Sequence, residues 1–306
     1  MRTLRFHDYG EPADVLRVED AEPPRPGPGQ IRVAVMACGL NPADWALCGG
    51  LYPGDLPRGI GLELSGTVDA IGEGVTGVGI GDVVFGPAPF TGPSAGASEQ
   101  AVLDSWFPCP TGLDPVEAAA LPMAVGAAFA SVDALGAGTG DTVLVHGAGT
   151  TTGYAAAQIA VRRGARVLAT AGPTYADALR AAGVEVTGYG EGLAERVTAL
   201  AGGPVDLVLD TAPFSEALPE LVRTVKEPEH VLTLGVGPEV EELGVRSAIT
   251  TGARPRYDVL GEFAQLAAEG RFSVPVARTF PLDDWRSALE LSQSRQAHGK
   301  LVLRIS

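Results

Sequence analysis

The sequence predicts an α/β protein of two domains, a β-rich module and a doubly wound parallel-sheet domain. Three observations carry this. The chain has 306 residues, its first third is rich in Gly and Pro between short β-branched segments, and from about Asp114 short apolar strands alternate with helical stretches. Domains run to roughly 100–200 residues, so this length accommodates two cores. A composition of 45% hydrophobic and 19% charged residues lies in the globular range.

In the first third, Thr3–His7, Val15–Val18, Ile31–Met36 and Gly66–Ile71 read as strands. Glu22-Pro-Pro-Arg-Pro-Gly-Pro-Gly29 lacks four amide protons and reads as a connector. Next come Thr142–His146, Tyr154–Arg163, Arg166–Ala171, Tyr175–Ala182, Leu193–Ala201, Val205–Asp210, Glu216–Val225 and Val231–Gly235, in strand–helix alternation. Such alternation predicts a parallel sheet covered on both faces. The tail offers a helix at Val259–Glu269, a strand near Val274–Arg278, a helix capped by Asp283 and a closing strand at Lys300–Ile305. Domains are expected at 1–115 and 116–253, with 254–306 returning to the first.

With 37 acidic and 22 basic residues the net charge is −15, which repels phosphate backbones and anionic membranes and argues against a nucleic-acid partner. Cys38, Cys48 and Cys109 match neither a disulfide framework nor a paired-cysteine metal site, so a reducing compartment is expected. The N-terminus lacks a secretory pattern, and the apolar run Ala118–Val132, broken at Pro122, is shorter than the ~18 residues of a membrane span. A cytoplasmic protein is expected.

The strand Thr142–His146 runs into Gly147-Ala148-Gly149-Thr150-Thr151-Thr152-Gly153 and then a helical stretch. Glycines there let the backbone approach a pyrophosphate, whose charge is favoured at a helix N-terminus. The third glycine falls one residue later than in G-x-G-x-x-G. The following strand ends Ala169-Thr170-Ala171-Gly172, without the acid that holds the ribose hydroxyls of NAD, which favours NADPH over NADH. Thr170, Thr174 and Tyr189 are the hydrogen-bonding residues nearby, and Gly235 and Val236 close the later strand beside the same site. Gly92-Pro-Ser-Ala-Gly96 matches a nucleophile elbow in letters only, being in a Pro- and Gly-rich loop.

Together with Pro26-Gly-Pro-Gly29, Gly39-Leu-Asn-Pro-Ala-Asp44, Gly50-Leu-Tyr-Pro53, Gly61-Leu-Glu-Leu-Ser-Gly66, Gly81-Asp-Val-Val84, Ala118-Ala-Ala-Leu-Pro122 and Gly299-Lys-Leu-Val-Leu303, these residues resemble the medium-chain dehydrogenase/reductase superfamily, in its zinc-free quinone oxidoreductase branch. The resemblance implies a GroES-like catalytic domain plus a Rossmann domain, and a homodimer. Zinc alcohol dehydrogenases of the superfamily have Cys and His where this chain has Asn41 and Leu62, which implies no zinc. It also implies that Asn41 and Tyr52 face the nicotinamide. Asn41 would orient the carboxamide or the substrate carbonyl, and Tyr52 would donate a hydrogen bond to the acceptor. The reaction implied is hydride transfer from NADPH to a quinone, enone or enoyl group. Two departures, Thr150–Thr152 in place of glycines and Ala127 in place of Thr, support a second reading: a non-redox binder, cyclase or isomerase that has lost the dinucleotide. β-Branched residues resist the positive φ that glycine permits.

Overall fold

The computed structural model describes residues 1–212 and 214–305. They divide into two compact units, one made of Met1–Met123 and the chain from Tyr257 to its end, the other of Ala124–Arg256. The divisions fall at Met123 and Arg256, later than the expected 115 and 253. The first falls inside a single 21-residue helix, Pro115–Leu135. The apolar run does not break at Pro122, which is absorbed within that helix. The helix is long and apolar enough to cross a membrane by length and composition, but 72% of its apolar window is buried inside the protein, as in a core helix.

In the first unit the strand Ile31–Leu40 is the hub. It pairs with Glu63–Ile71, Gln100–Leu103 and Lys300–Arg304, all antiparallel. Its first six residues alternate buried and half-buried, and its last four are all buried. The strand therefore runs past the expected Met36, because both of its faces are covered beyond that point. Its partner starts at Glu63, three residues before the expected Gly66. The register sets Gly39 opposite Glu63 and Leu40 opposite Leu301, so Asn41, Glu63 and Lys300 converge from three distant stretches of sequence.

Two local expectations change. Pro12–Val15 is a short helix with proline at its start, and the strand follows at Arg17–Asp20 rather than at Val15–Val18. Leu282–Asp284 forms a 3-10 turn before the helix Trp285–Gln293. Asp284, not Asp283, stands at the helix start, accepting from Ser287 Oγ at 2.5 Å, while Asp283 pairs with Arg2.

The second unit is a six-stranded, all-parallel sheet in the order Glu185–Thr187, Arg166–Thr170, Thr142–His146, Leu207–Asp210, Val231–Thr233, Arg246–Ser247. Strand order reverses at Thr142–His146, between its neighbours Arg166–Thr170 and Leu207–Asp210. In open parallel sheets the crevice at the carboxyl ends beside such a reversal is where ligands bind.

Candidate functional site

The turn after Thr142–His146 lies at that reversal. Gly147 has φ +80°, and a Cβ there would stand 2.6 Å from the Ala212 methyl. Gly153 is needed for closeness rather than for φ: its Cβ would lie 2.4 Å from both Gly147 O and Thr211 Oγ1. The threonines occupy positions without positive φ. Thr150 is the N-cap at φ −80°, and its Oγ1 accepts from Gly153 N–H at 3.0 Å. Thr151 and Thr152 open the helix Thr151–Arg162, which begins three residues before the expected Tyr154. The β-branched run therefore costs no backbone strain and contributes a cap. First-turn amides have no intrahelical partner, and with the dipole they favour an anion. The cradle fits a pyrophosphate.

Hydroxyl groups lock the turn from below. Thr211 Oγ1 donates to His146 O (2.7 Å) and Gly147 O (3.1 Å). Thr170, fully buried, accepts from Gly147 N–H (2.9 Å) and meets His146 Nδ1 at 2.8 Å. Its hydroxyl is thus committed to holding the turn. The other ring nitrogen of His146, Nε2, lies 3.0 Å from Ser215 Oγ. Burial lowers the His146 pKa, keeping the ring neutral. Thr174 is exposed at the start of the helix Pro173–Ala181. Tyr189 is 66% exposed, its hydroxyl within 3.6 Å of where a Gly172 Cβ would sit. Ala148 is buried; Gly149 and Gly235 are half-buried and Val236 exposed. Gly92–Gly96 has neither strand before it nor helix after it.

In the first unit, Asn41 belongs to a buried polar nest. Lys300, 2% exposed, ion-pairs with Glu63, which is completely buried. Its Nζ also donates to Asn41 Oδ1 at 2.5 Å. Asn41 Nδ2 donates to Glu63 Oε1 (2.9 Å) and Asp44 Oδ2 (3.3 Å). Glu63 Oε2 accepts from Met123 N–H at 2.8 Å. Asp44 Oδ1 accepts from the backbone of Gly61 (2.7 Å) and Leu62 (3.0 Å), and Oδ2 from Asn41 N–H (2.7 Å). Burial pushes the Asp44 carboxyl up to about 6, against the pull of the Asn41 and Gly61 amides. Burial, then Glu63, pushes Tyr257 up to about 12, with its hydroxyl 3.1 Å from Met123 Sδ.

Tyr52 lies in a separate cluster. It is 62% exposed at φ +60°, its ring 5.5 Å from that of Phe90. Buried Arg58 braces both loops, donating to the carbonyls of Tyr52 and Phe90. A non-glycine residue at positive φ costs of order 1–3 kcal/mol and persists where the surroundings fix it. The sequence singles out Asn41 and Tyr52 but not Asp44, Lys300 or Arg58. A charged residue heading an apolar strand, as in Lys300-Leu-Val-Leu303, is the available signal. Among the described residues, no group of three or more His, Cys, Asp or Glu could hold a metal.

Comparison with known proteins agrees with this geometry. Residues 27–207 match the alcohol dehydrogenase GroES-like domain family, and residues 185–303 match a zinc-binding dehydrogenase family. The chain belongs to the medium-chain dehydrogenase/reductase superfamily and is an oxidoreductase of its quinone-oxidoreductase-like branch. Its structure resembles an NAD-dependent alcohol dehydrogenase (TM-score 0.85, 28% identity, 100% of both chains). It also resembles the quinone oxidoreductase of Coxiella burnetii (TM-score 0.82, 26% identity, 100% of this chain and 99% of that one). Among curated relatives, it is 32% identical to the polyketide synthase GfsB of Streptomyces halstedii, over 90% of this chain but 5% of that protein. It is 33% identical to the phthioceranic/hydroxyphthioceranic acid synthase of Mycobacterium tuberculosis, over 96% of this chain and 15% of that protein. The chain thus spans a small part of these synthases.

Proposed function

We propose that the protein is an NADPH-dependent, zinc-independent reductase that transfers a hydride to a quinone or an α,β-unsaturated carbonyl. The observation that carries the reading is the turn Gly147–Gly153, where two close-packed glycines and a threonine cap open a helix at the sheet's reversal point. NADPH is preferred because Thr170-Ala171-Gly172 places no carboxylate where a ribose phosphate would be repelled. When bound, the cofactor supplies the hydride. The chain fixes donor and acceptor in line and keeps water out. Asn41 orients, held by its nest, and Tyr52 offers a hydroxyl to the acceptor oxygen, with the proton taken from it or from solvent. Likeness to a quinone oxidoreductase and to polyketide and phthioceranic/hydroxyphthioceranic acid synthases supports these acceptor classes. The same reading includes a cytoplasmic homodimer acting on a small apolar substrate, with neither nucleic acid nor membrane as partner.

A panel of quinones, enones and enoyl thioesters, scored by NADPH and NADH consumption, tests it. At least one acceptor is expected to turn over, faster with NADPH. Asn41→Ala should reduce turnover about tenfold or more and Tyr52→Phe less, since acid–base assistance can come from solvent. Turnover of no acceptor would overturn the assignment, and equal, negligible losses would remove both residue roles.

A further inference from the structure

We infer that Lys300 is a positioning residue. With Glu63 it locks the Asn41 carboxamide so that only its oxygen is left to meet a ligand, and as an acceptor. The identity of that ligand rests on the reductase reading.

Hydrogen-bond valences decide the orientation. A carboxamide has two N–H donors and an oxygen with two lone pairs. Glu63 Oε1 and Asp44 Oδ2 take up both Nδ2 hydrogens, at 2.9 and 3.3 Å. Lys300 Nζ occupies one lone pair of Oδ1 at 2.5 Å. A 180° flip of the amide would point its N–H groups at an ammonium that has no acceptor and its oxygen at two carboxylates. Lys300, together with Glu63 and Asp44, therefore fixes the flip state as well as the position. One lone pair on Oδ1 is left, on a residue that is half-buried rather than sealed. Asn41 can then accept from an N–H or O–H but cannot donate to a carbonyl. Of the two groups it could orient in a hydride transfer, the nicotinamide carboxamide, with its N–H donors, fits and the substrate carbonyl does not. Such a lock needs a cation with no acceptor capacity of its own.

The competing possibility is a purely structural role for Lys300, as the counter-charge to buried Glu63. Lys300→Met combined with Glu63→Gln separates the two, because it removes both charges while the introduced glutamine keeps an acceptor for Asn41 Nδ2. Two readouts apply. Without cofactor, urea unfolding of a double-mutant cycle between Lys300→Met and Asn41→Ala, built on Glu63→Gln, should show clear non-additivity if the lock exists. With nucleotide, wild type should bind NADPH about 3- to 10-fold more tightly than its 3-acetylpyridine analogue, which lacks the N–H donors, as one net hydrogen bond provides. In the Lys300→Met, Glu63→Gln double variant that ratio should fall to about one, with affinity for adenosine 2′,5′-bisphosphate unchanged. A wild-type ratio kept by the double variant, or additive unfolding, would overturn the lock. Absence of NADPH binding to wild type would overturn the reductase reading and the ligand half of the inference, while the unfolding cycle still decides the lock.

Discussion

Glu63→Ala is expected to lower unfolding stability by about 3–5 kcal/mol, the cost of leaving one member of a buried ion pair without its partner. Lys300 is 2% exposed and cannot turn out to water, so its ammonium would keep only the Asn41 oxygen. Asn41 Nδ2 and Met123 N–H would lose an acceptor in the same step. Glu63→Gln should cost less than Glu63→Ala, because a glutamine side chain retains one oxygen, enough for one of those two donors, and fills the same space. Urea denaturation of the purified protein measures both. A loss below about 1 kcal/mol for Glu63→Ala would mean that the pair is hydrated in solution and behaves as a surface salt bridge does.

Gly153→Ala carries the second large effect. Its methyl would meet Gly147 O and Thr211 Oγ1 at 2.4 Å. Gly147 O belongs to a backbone pinned by Thr211 and Thr170, so the helix start must shift instead. Overpacking of this kind costs about 1–3 kcal/mol, and the displaced first turn should weaken NADPH about tenfold or more, as about 1.4 kcal/mol corresponds to each decade. Gly149→Ala is the control within the same turn. Nothing lies within 4 Å of its Cβ and its φ is not positive, so stability should stay within about 0.5 kcal/mol of wild type. Thermal unfolding with and without NADPH compares the two. Equal stability for both variants would refute the packing argument.

The doubly wound unit was legible because strand–helix alternation is a short-range pattern, and Thr142–His146, Leu193–Ala201 and the turn glycines were found where expected. The Thr150–Thr152 run was misleading because a sequence does not say which positions of a turn need positive φ. Here only Gly147 does, and Thr150 serves as a cap. The nest around Asn41 was less legible. Glu63, Lys300 and Asp44 meet through strand register and a helix start, so their pairing depends on contacts separated by up to 259 residues. Pro122 illustrates the same limit. A rule against proline in helices divided an apolar run that tertiary packing holds as one helix.

At the centre of the proposed function is the proposal that the turn Gly147–Gly153 binds a phosphorylated nicotinamide dinucleotide. Titration of the purified protein with NADPH and NADH, followed by thermal shift, tests this most directly, because a ligand that binds only the native state must raise its stability. Stabilisation is expected to grow with NADPH concentration and to be larger than that given by NADH at equal concentration. No stabilisation by either nucleotide at millimolar concentration would contradict it.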